Sequence, residues 1–381
     1  MPTTPPPKYL EISREIEARI LDGRQRGAKI PSAREIASLH KVSVVTASRA
    51  LQVLRDKGLI EIVGRSGSIL ARTTAEPEAQ TRKFGILLRS TPGPWRVASM
   101  SVPLRGFTTV ARELGIGLDT EILEIPDPTT TAQIRTVVQK AVEAGLAGVF
   151  FMPTRHADAS TLEDEALLEA CRLSGLPVVL VERNLRGRFR PLAHDLVATD
   201  DLDGGYRSAR HLLDQGRKRV AFVTGSPTSS HEGRIAGYLA ALAEVEAEPI
   251  VLEQPSARPS REAFRDLVDR LLKRKVDGVI CYQDYTAVGL IMEFLTRSVR
   301  IPLDVAITGF DNLPIGDSFA LGVTTYEFPA ESIARRAFQM MHARLSDRDA
   351  PPAKLLVPGR LILRESSAGG TVARNGHHAQ A

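Results

Sequence analysis

Hydrophobic and polar positions follow two different rhythms along the chain. In the first, Ile36, Ala37 and Leu39 give a short helix an apolar side. Pro31 and Ser32 suit its opening, Pro through its fixed φ and Ser through a hydroxyl that caps free N–H groups. His40 and Lys41 then make a tight turn. Ser43 can cap a second helix, in which Val45, Ala47, Ala50, Leu51 and Leu54 follow helical spacing until Gly58 stops it. Two short alternating strands follow at 59–63 and 68–71, joined by Gly64-Arg65-Ser66-Gly67, whose glycines suit a hairpin. The second rhythm begins at Lys83. Near-continuous apolar runs at 84–88, 148–152, 177–181, 220–224, 278–282 and 305–310 suit parallel strands covered on both faces. Helical patterns at 131–143, 162–173, 204–215, 232–243 and 261–273 separate them, which is α/β organisation.

The second region also repeats itself. Gly145-Leu-Ala-Gly-Val-Phe-Phe-Met, a helix and Leu176-Pro-Val-Val-Leu-Val are echoed by Lys275-Val-Asp-Gly-Val-Ile-Cys-Tyr, a helix and Ile301-Pro-Leu-Asp-Val-Ala-Ile. Two similar lobes are expected, each an open sheet. Ligands in such sheets bind at the carboxyl ends of the strands, so the natural site is the cleft between lobes.

The N-terminal elements compose a winged helix-turn-helix, and charge supports a polyanionic partner. Residues 24–72 hold ten Lys and Arg against three acids, a net of +7, while the whole 381-residue chain carries +5. The expected division is a DNA-binding domain at 8–71, a polar linker at 72–82, a two-lobed ligand-binding domain at 83–365 and a disordered Gly/Ser/His-rich tail at 366–381. Cys171 and Cys281 sit in apolar surroundings, as buried free thiols of a reducing cytosol would. Met1 to Pro7 is a Thr/Pro-rich arm, and no apolar run nears the length of a membrane span, so a cytoplasmic protein without membrane contact is expected.

The run Ile30-Pro-Ser-Ala-Arg-Glu-Ile-Ala, then Val42-Ser-Val-Val-Thr-Ala-Ser-Arg-Ala-Leu, then Gly58-Leu-Ile, resembles the DNA-binding domain of GntR-family transcription regulators. The resemblance implies operator DNA as partner. It places Arg34 at phosphate or a base edge, with Ser43, Thr46, Ser48 and Arg49 on the recognition helix and Arg65 at the wing tip. Arg49 could pair with guanine, the hydroxyls could hold phosphates, and Arg65 could enter a minor groove or touch phosphate. Val44 stands where an Arg is often found, and Ser48 stands where another often sits. Arg49 lies one place further, about 100° around the helix, so an operator cannot be carried over from relatives.

From about Lys83 to Glu365 the chain resembles the ligand-binding core of LacI-family repressors, itself related to periplasmic sugar-binding proteins. Arg234-Ile-Ala-Gly-Tyr, Asp277-Gly-Val, Asp284 with Ala287-Val-Gly, and Ile301 through Asn312 carry the likeness. The two resemblances together match the arabinose-repressor architecture. They imply a homodimer controlled by a small polar effector, most simply a sugar, with no cofactor and no metal. Arg234 and Asp311 occupy family ligand positions, and Asp284 lies beside another. In the first lobe Arg89 ends a strand, Trp95 sits in the following loop, and Glu182 with Arg183 ends another strand. Blander roles stay open: an ion pair between lobes for Arg234 and Asp311, a helix cap for Arg183, a loop anchor for Trp95. Phe328 stands near a position often polar in relatives. Enzyme motifs are missing: the chain has no Gly-x-x-x-x-Gly-Lys-Ser/Thr, His-Glu-x-x-His, Cys-x-x-Cys or Gly-x-Ser-x-Gly. A DNA-tethered α/β enzyme acting on a phosphorylated sugar is the alternative.

Overall fold

The computed structural model describes residues 8–21, 31–56, 60–62, 68–70, 82–90, 95–119, 124–126, 129–154, 158–187, 190–254, 260–318 and 320–368. The chain divides into two compact units, Met1–Gln80 and Thr81–Ala381.

In the first unit, α1 (Lys8–Leu21), α2 (Ala33–Leu39) and α3 (Val44–Asp56) precede a hairpin of β1 (Ile60–Ile62) and β2 (Ser68–Leu70). Ser32 is the N-cap of α2, and Glu35 reaches back to the Ser32 N–H, a reciprocal capping box that satisfies two free donors. Pro31 therefore lies outside the helix rather than in its first turn. Ile12, Ile16, Ile36, Ala37, Ala47, Ala50, Leu51 and Leu54 form the core. Two apolar residues expected on core faces are instead exposed: Leu39 at 64% and Val45 at 70%. Small alanines at 47 and 50 let the helices approach closely enough to close the core without them. The turn carrying Arg65, the linker segment 71–81 and the tail from 369 lie outside the described residues.

The second unit opens with β3 (Lys83–Ser90), α4 (Trp95–Leu114), β4 (Gly117–Asp119), β5 (Glu124–Pro126), α5 (Thr131–Glu143), β6 (Gly148–Phe151), α6 (Asp158–Leu173), β7 (Val178–Val181) and β8 (Asp195–Thr199). It continues with α7 (Asp201–Asp214), β9 (Val220–Thr224), α8 (Ser229–Ala243), β10 (Ile250–Glu253), α9 (Arg261–Lys273), β11 (Gly278–Cys281), α10 (Asp284–Thr296), β12 (Ala306–Phe310), α11 (Pro314–Ser318) and β13 (Thr324–Tyr326). The chain then returns through α12 (Ala330–Ser346) and β14 (Lys354–Val357) to the first lobe and ends in β15 (Leu361–Ile362) of the second.

Among the described residues the two sheets have matching orders, β4-β3-β6-β7-β8-β14 and β10-β9-β11-β12-β13-β15. The internal repeat is thus visible as topology. It breaks at the last position, where β14 pairs parallel to β8 but β15 pairs antiparallel to β13. Each sheet reverses its strand order beside β3 or β9, the position at which open sheets hold ligands. Trp95 begins α4 rather than sitting in a loop. The expected tail starts too early: Ser366 and Ser367 are fully buried, and Ser366 Oγ donates to Ile307 O at 2.7 Å, because these residues finish the second sheet's edge.

Among the described residues three crossovers join the lobes, and hydrogen bonds lace them together. Asp200 N–H donates to Val357 O at 2.8 Å, and Glu327 N–H donates to Arg360 O at 2.9 Å. The buried Tyr326 hydroxyl donates to Asp203 at 2.6 Å and accepts from Gly359 N–H at 2.8 Å. In the second lobe α7 and α8 pack backbone to backbone. A Cβ on Gly205 would lie 1.9 Å from Arg234 O, and one on Gly237 would lie 2.0 Å from Leu202 O.

One turn after β12 is built with particular support. Asp311 and Asn312 have φ of 89° and 49°, in the left-handed region. Asp311 N–H donates to Tyr326 O at 2.9 Å, Asn312 N–H to Thr325 Oγ1 at 3.2 Å, and Leu313 N–H to the Asp284 carboxylate at 2.7 Å. Asp284 is fully buried, and burial pushes its pKa up to about 8 despite hydrogen bonds from Thr325 and Leu313.

Two outcomes test this architecture. Gly237→Ala should destabilise the second lobe by about 1–3 kcal/mol through overpacking, read by scanning calorimetry; an unchanged melting temperature would contradict the close helix approach. Asp284 takes up its proton more readily folded than unfolded, so its contribution to stability is full below about pH 4 and fades as pH rises through about 8. Chemical denaturation of Asp284→Asn should therefore show stability rising relative to wild type across that window. A difference independent of pH would contradict the raised value.

Candidate functional site

Two surfaces gather the residues singled out in the sequence. On the first unit, Ser43 accepts from Thr46 N–H at 3.1 Å and shares a hydrogen bond with the Thr46 hydroxyl at 2.9 Å, which fixes the start of α3. Arg34 on α2 is exposed, as are Ser48 and Arg49 on α3. The Arg49 guanidinium lies 6.0 Å from the Tyr9 ring centroid, at the edge of cation–π range. The α3 surface thus presents a cation and hydroxyls around a helix N-terminus, chemistry suited to a phosphate backbone and base edges.

In the second unit the strand ends of both lobes carry charged groups. Arg234 on α8 is 3% exposed and organises the second lobe's end of the cleft. Its Nε donates to Asp201 at 2.8 Å, one Nη donates to Asp311 at 3.0 Å, and the other donates to Tyr282 O. Its guanidinium carbon stands 4.3 Å from the Phe310 ring centroid. Burial works against its charge, but Asp311 and Asp201 raise its pKa above the ordinary value. Burial pushes Asp201 up to about 7 even with Arg234 beside it, and Glu182 and Asp311 act in the same direction as burial. The Arg234–Asp311 pair lies within one lobe and is not a bridge between lobes.

Glu182 follows β7 as Asp311 follows β12, and it too is left-handed, with φ of 71°. The two acids are counterparts across the repeat. Arg183 pairs with Glu182 and donates to Pro153 O at 2.8 Å, so it ties two strand ends together rather than capping a helix. The loop after β7 reaches the second lobe, where Asn184 N–H donates to Ser229 Oγ at 3.0 Å and Gly187 N–H to Pro227 O at 3.1 Å. A cavity of about 590 Å³ opens between α4 and the Asp311–Asn312 turn, bounded by Arg105, Thr109, Phe328, Glu331 and Arg360. Its size suits a small polar molecule.

The expected ligand residues are therefore sorted by geometry. Asp311 lines the cavity. Glu182 and Arg183 stand together at the first lobe's strand ends, and Arg234 is the buried organiser. Asp284 does not belong among ligand contacts: with no accessible surface, it supports the Asp311 turn from beneath. Arg89 is the penultimate residue of β3 and Trp95 opens α4. Sequence reasoning missed Asp201 and Tyr326. The acids Asp200, Asp201 and Asp203 after β8 were the available signal, since a strand end followed by a capped helix start is where such sites form. Among the described residues, no cluster of three or more His, Cys, Asp or Glu is placed to hold a metal, and no helix is long and apolar enough to cross a membrane.

Comparison with known proteins agrees with both units. Residues 8–70 match the bacterial regulatory proteins of the gntR family, and residues 209–367 match the periplasmic binding protein-like domain. The arabinose metabolism transcriptional repressor of Geobacillus stearothermophilus is 23% identical over 372 residues, covering 95% of this chain and 98% of that protein. The HTH-type transcriptional repressor PurR of Proteus mirabilis (strain HI4320) is 25% identical over 301 residues, covering 76% of this chain and 81% of that one. A LacI family transcriptional regulator from Enterococcus faecium, solved with bound ribose, superposes with a TM-score of 0.58 at 20% identity, covering 75% of this chain and 99% of that one. The chain therefore joins a gntR-family regulatory domain to a periplasmic-binding-protein-like domain, the architecture of a ligand-responsive transcriptional regulator.

Proposed function

We propose that the chain is a cytoplasmic, homodimeric repressor that binds operator DNA through its gntR-type domain and is controlled by a sugar or close derivative held between the lobes. The carrying observation is the pair of left-handed acids, Glu182 and Asp311, presented at equivalent strand ends with Arg183 and Arg234 fixing them. Planar charged groups of this kind make paired hydrogen bonds to vicinal hydroxyls. Relatives named for arabinose metabolism and solved with ribose support a sugar.

In this reading Asp311, Glu182 and Arg183 contact the ligand, with Arg89 and Trp95 completing the first lobe's side and Arg234 holding Asp311 in place. Arg34, Ser48, Arg49 and Arg65 face DNA, while Ser43 and Thr46 set the helix start and offer hydroxyls to phosphate. The site binds without chemical conversion. Ligand acts by favouring one lobe arrangement, which requires unequal affinity for the two arrangements.

A thermal-shift screen of pentoses, hexoses, their acids and phosphates tests the ligand class. A neutral sugar should raise the melting temperature and be recovered unchanged; a sugar that stabilises nothing, or is consumed, would contradict the reading. Asp311→Asn keeps a residue that tolerates the left-handed turn. It should lose the sugar-induced shift while keeping operator affinity, measured by fluorescence anisotropy. Arg49→Ala should weaken specific binding by about 1–3 kcal/mol, and unchanged affinity would remove Arg49 from base readout.

A further inference from the structure

The first turn of α3 carries two residues that the domain's own packing does not use. Val44 is 49% exposed and Val45 is 70% exposed, while the neighbouring Ala47, Ala50, Leu51 and Leu54 close the core. An exposed β-branched residue is a poor helix former, and neither valine belongs to the core cluster. The hydroxyls of Ser43 and Thr46, which flank the valines, are bonded to each other and to the helix start. Beside those hydroxyls the first turn presents two isopropyl groups, followed one turn later by exposed Ser48 and Arg49.

We infer that Val44 and Val45 read thymine methyl groups in the major groove. The inference rests on the proposed DNA-binding function and adds the base that the first turn recognises. N-terminal residues of a recognition helix approach base edges. Among the four bases only thymine presents a methyl group there, and apolar side chains pair with it. Val45, Ser48 and Arg49 are spaced i, i+3 and i+4 and share one face, so a thymine contact sits beside the base that Arg49 reaches. The preference of this chain is thereby expected to include T·A pairs next to a G·C pair in each half-site.

The test uses the full chain and a randomised duplex library. Selection should enrich sites with thymine beside guanine in both halves. Replacing each thymine of the selected site in turn by deoxyuridine, which lacks the methyl group, should weaken binding about fourfold at one or two positions per half-site, the value of one buried methyl group. In the Val44→Ala, Val45→Ala double variant that penalty should vanish, while the salt dependence of binding stays unchanged. Alanine favours the helix, and the wild-type deoxyuridine series is informative without any variant. Enrichment of a site at which deoxyuridine and thymine bind equally, or a penalty that persists in the double variant, would overturn the inference while leaving DNA binding in place. Failure to enrich any sequence would overturn the DNA-binding function together with it.

Discussion

A single buried guanidinium holds the second lobe's half of the cleft in shape. Arg234 bonds a carboxylate from the start of α7, a carbonyl from the end of β11 and a carboxylate from the turn after β12, and it stacks on Phe310. Each partner comes from a different part of the lobe. A charge this deeply buried persists because every direction is answered, and removing one member would strand the others at a cost of about 3–5 kcal/mol. Asp311 is the member that lines the cavity, so the position of that acid is set by a residue with almost no surface of its own.

The repeat gives the two lobes equivalent strand ends. Both sheets deliver left-handed acids at the ends of equivalent strands, Glu182 after β7 and Asp311 after β12, and the proposed ligand, held by both, would span the gap. The crossovers allow the lobes to be linked without making them one rigid sheet. Tyr326 ties α7 to Gly359, and backbone bonds from Asp200 and Glu327 tie the remaining strands of the connection. In the proposed regulator these laced segments are the hinge about which the lobes would rearrange on binding ligand.

Much of this was legible in residue order because amphipathic helices and buried strands write strong periods. The helices at 131–143 and 261–273 carry capping residues Thr130 and Ser260 and a clear apolar stripe, and their bounds agree with expectation. Helix α4 was hidden because Pro103 interrupts its interior and the Pro/Gly-rich approach at 92–94 reads as loop. Val45 and Leu39 follow helical spacing but face outward, since periodicity reports which residues share a face and not whether anything covers it. Asp284 and Asp311 look alike in sequence, both acids after apolar strands. Their separation into a buried support and a cavity residue depends on Gly309 and Gly316, which let Asp284 sit beneath the turn. That distinction is tertiary.

Coupling between the cleft and the DNA-reading domain is most directly measured by titrating the stabilising sugar calorimetrically into the full chain with and without its selected operator duplex. Linkage requires one factor in both directions, typically about 5- to 150-fold. The expected result is that bound DNA changes sugar affinity by the same factor by which sugar changes operator affinity. Sugar affinity untouched by operator, with operator affinity untouched by sugar, would contradict a ligand-controlled repressor.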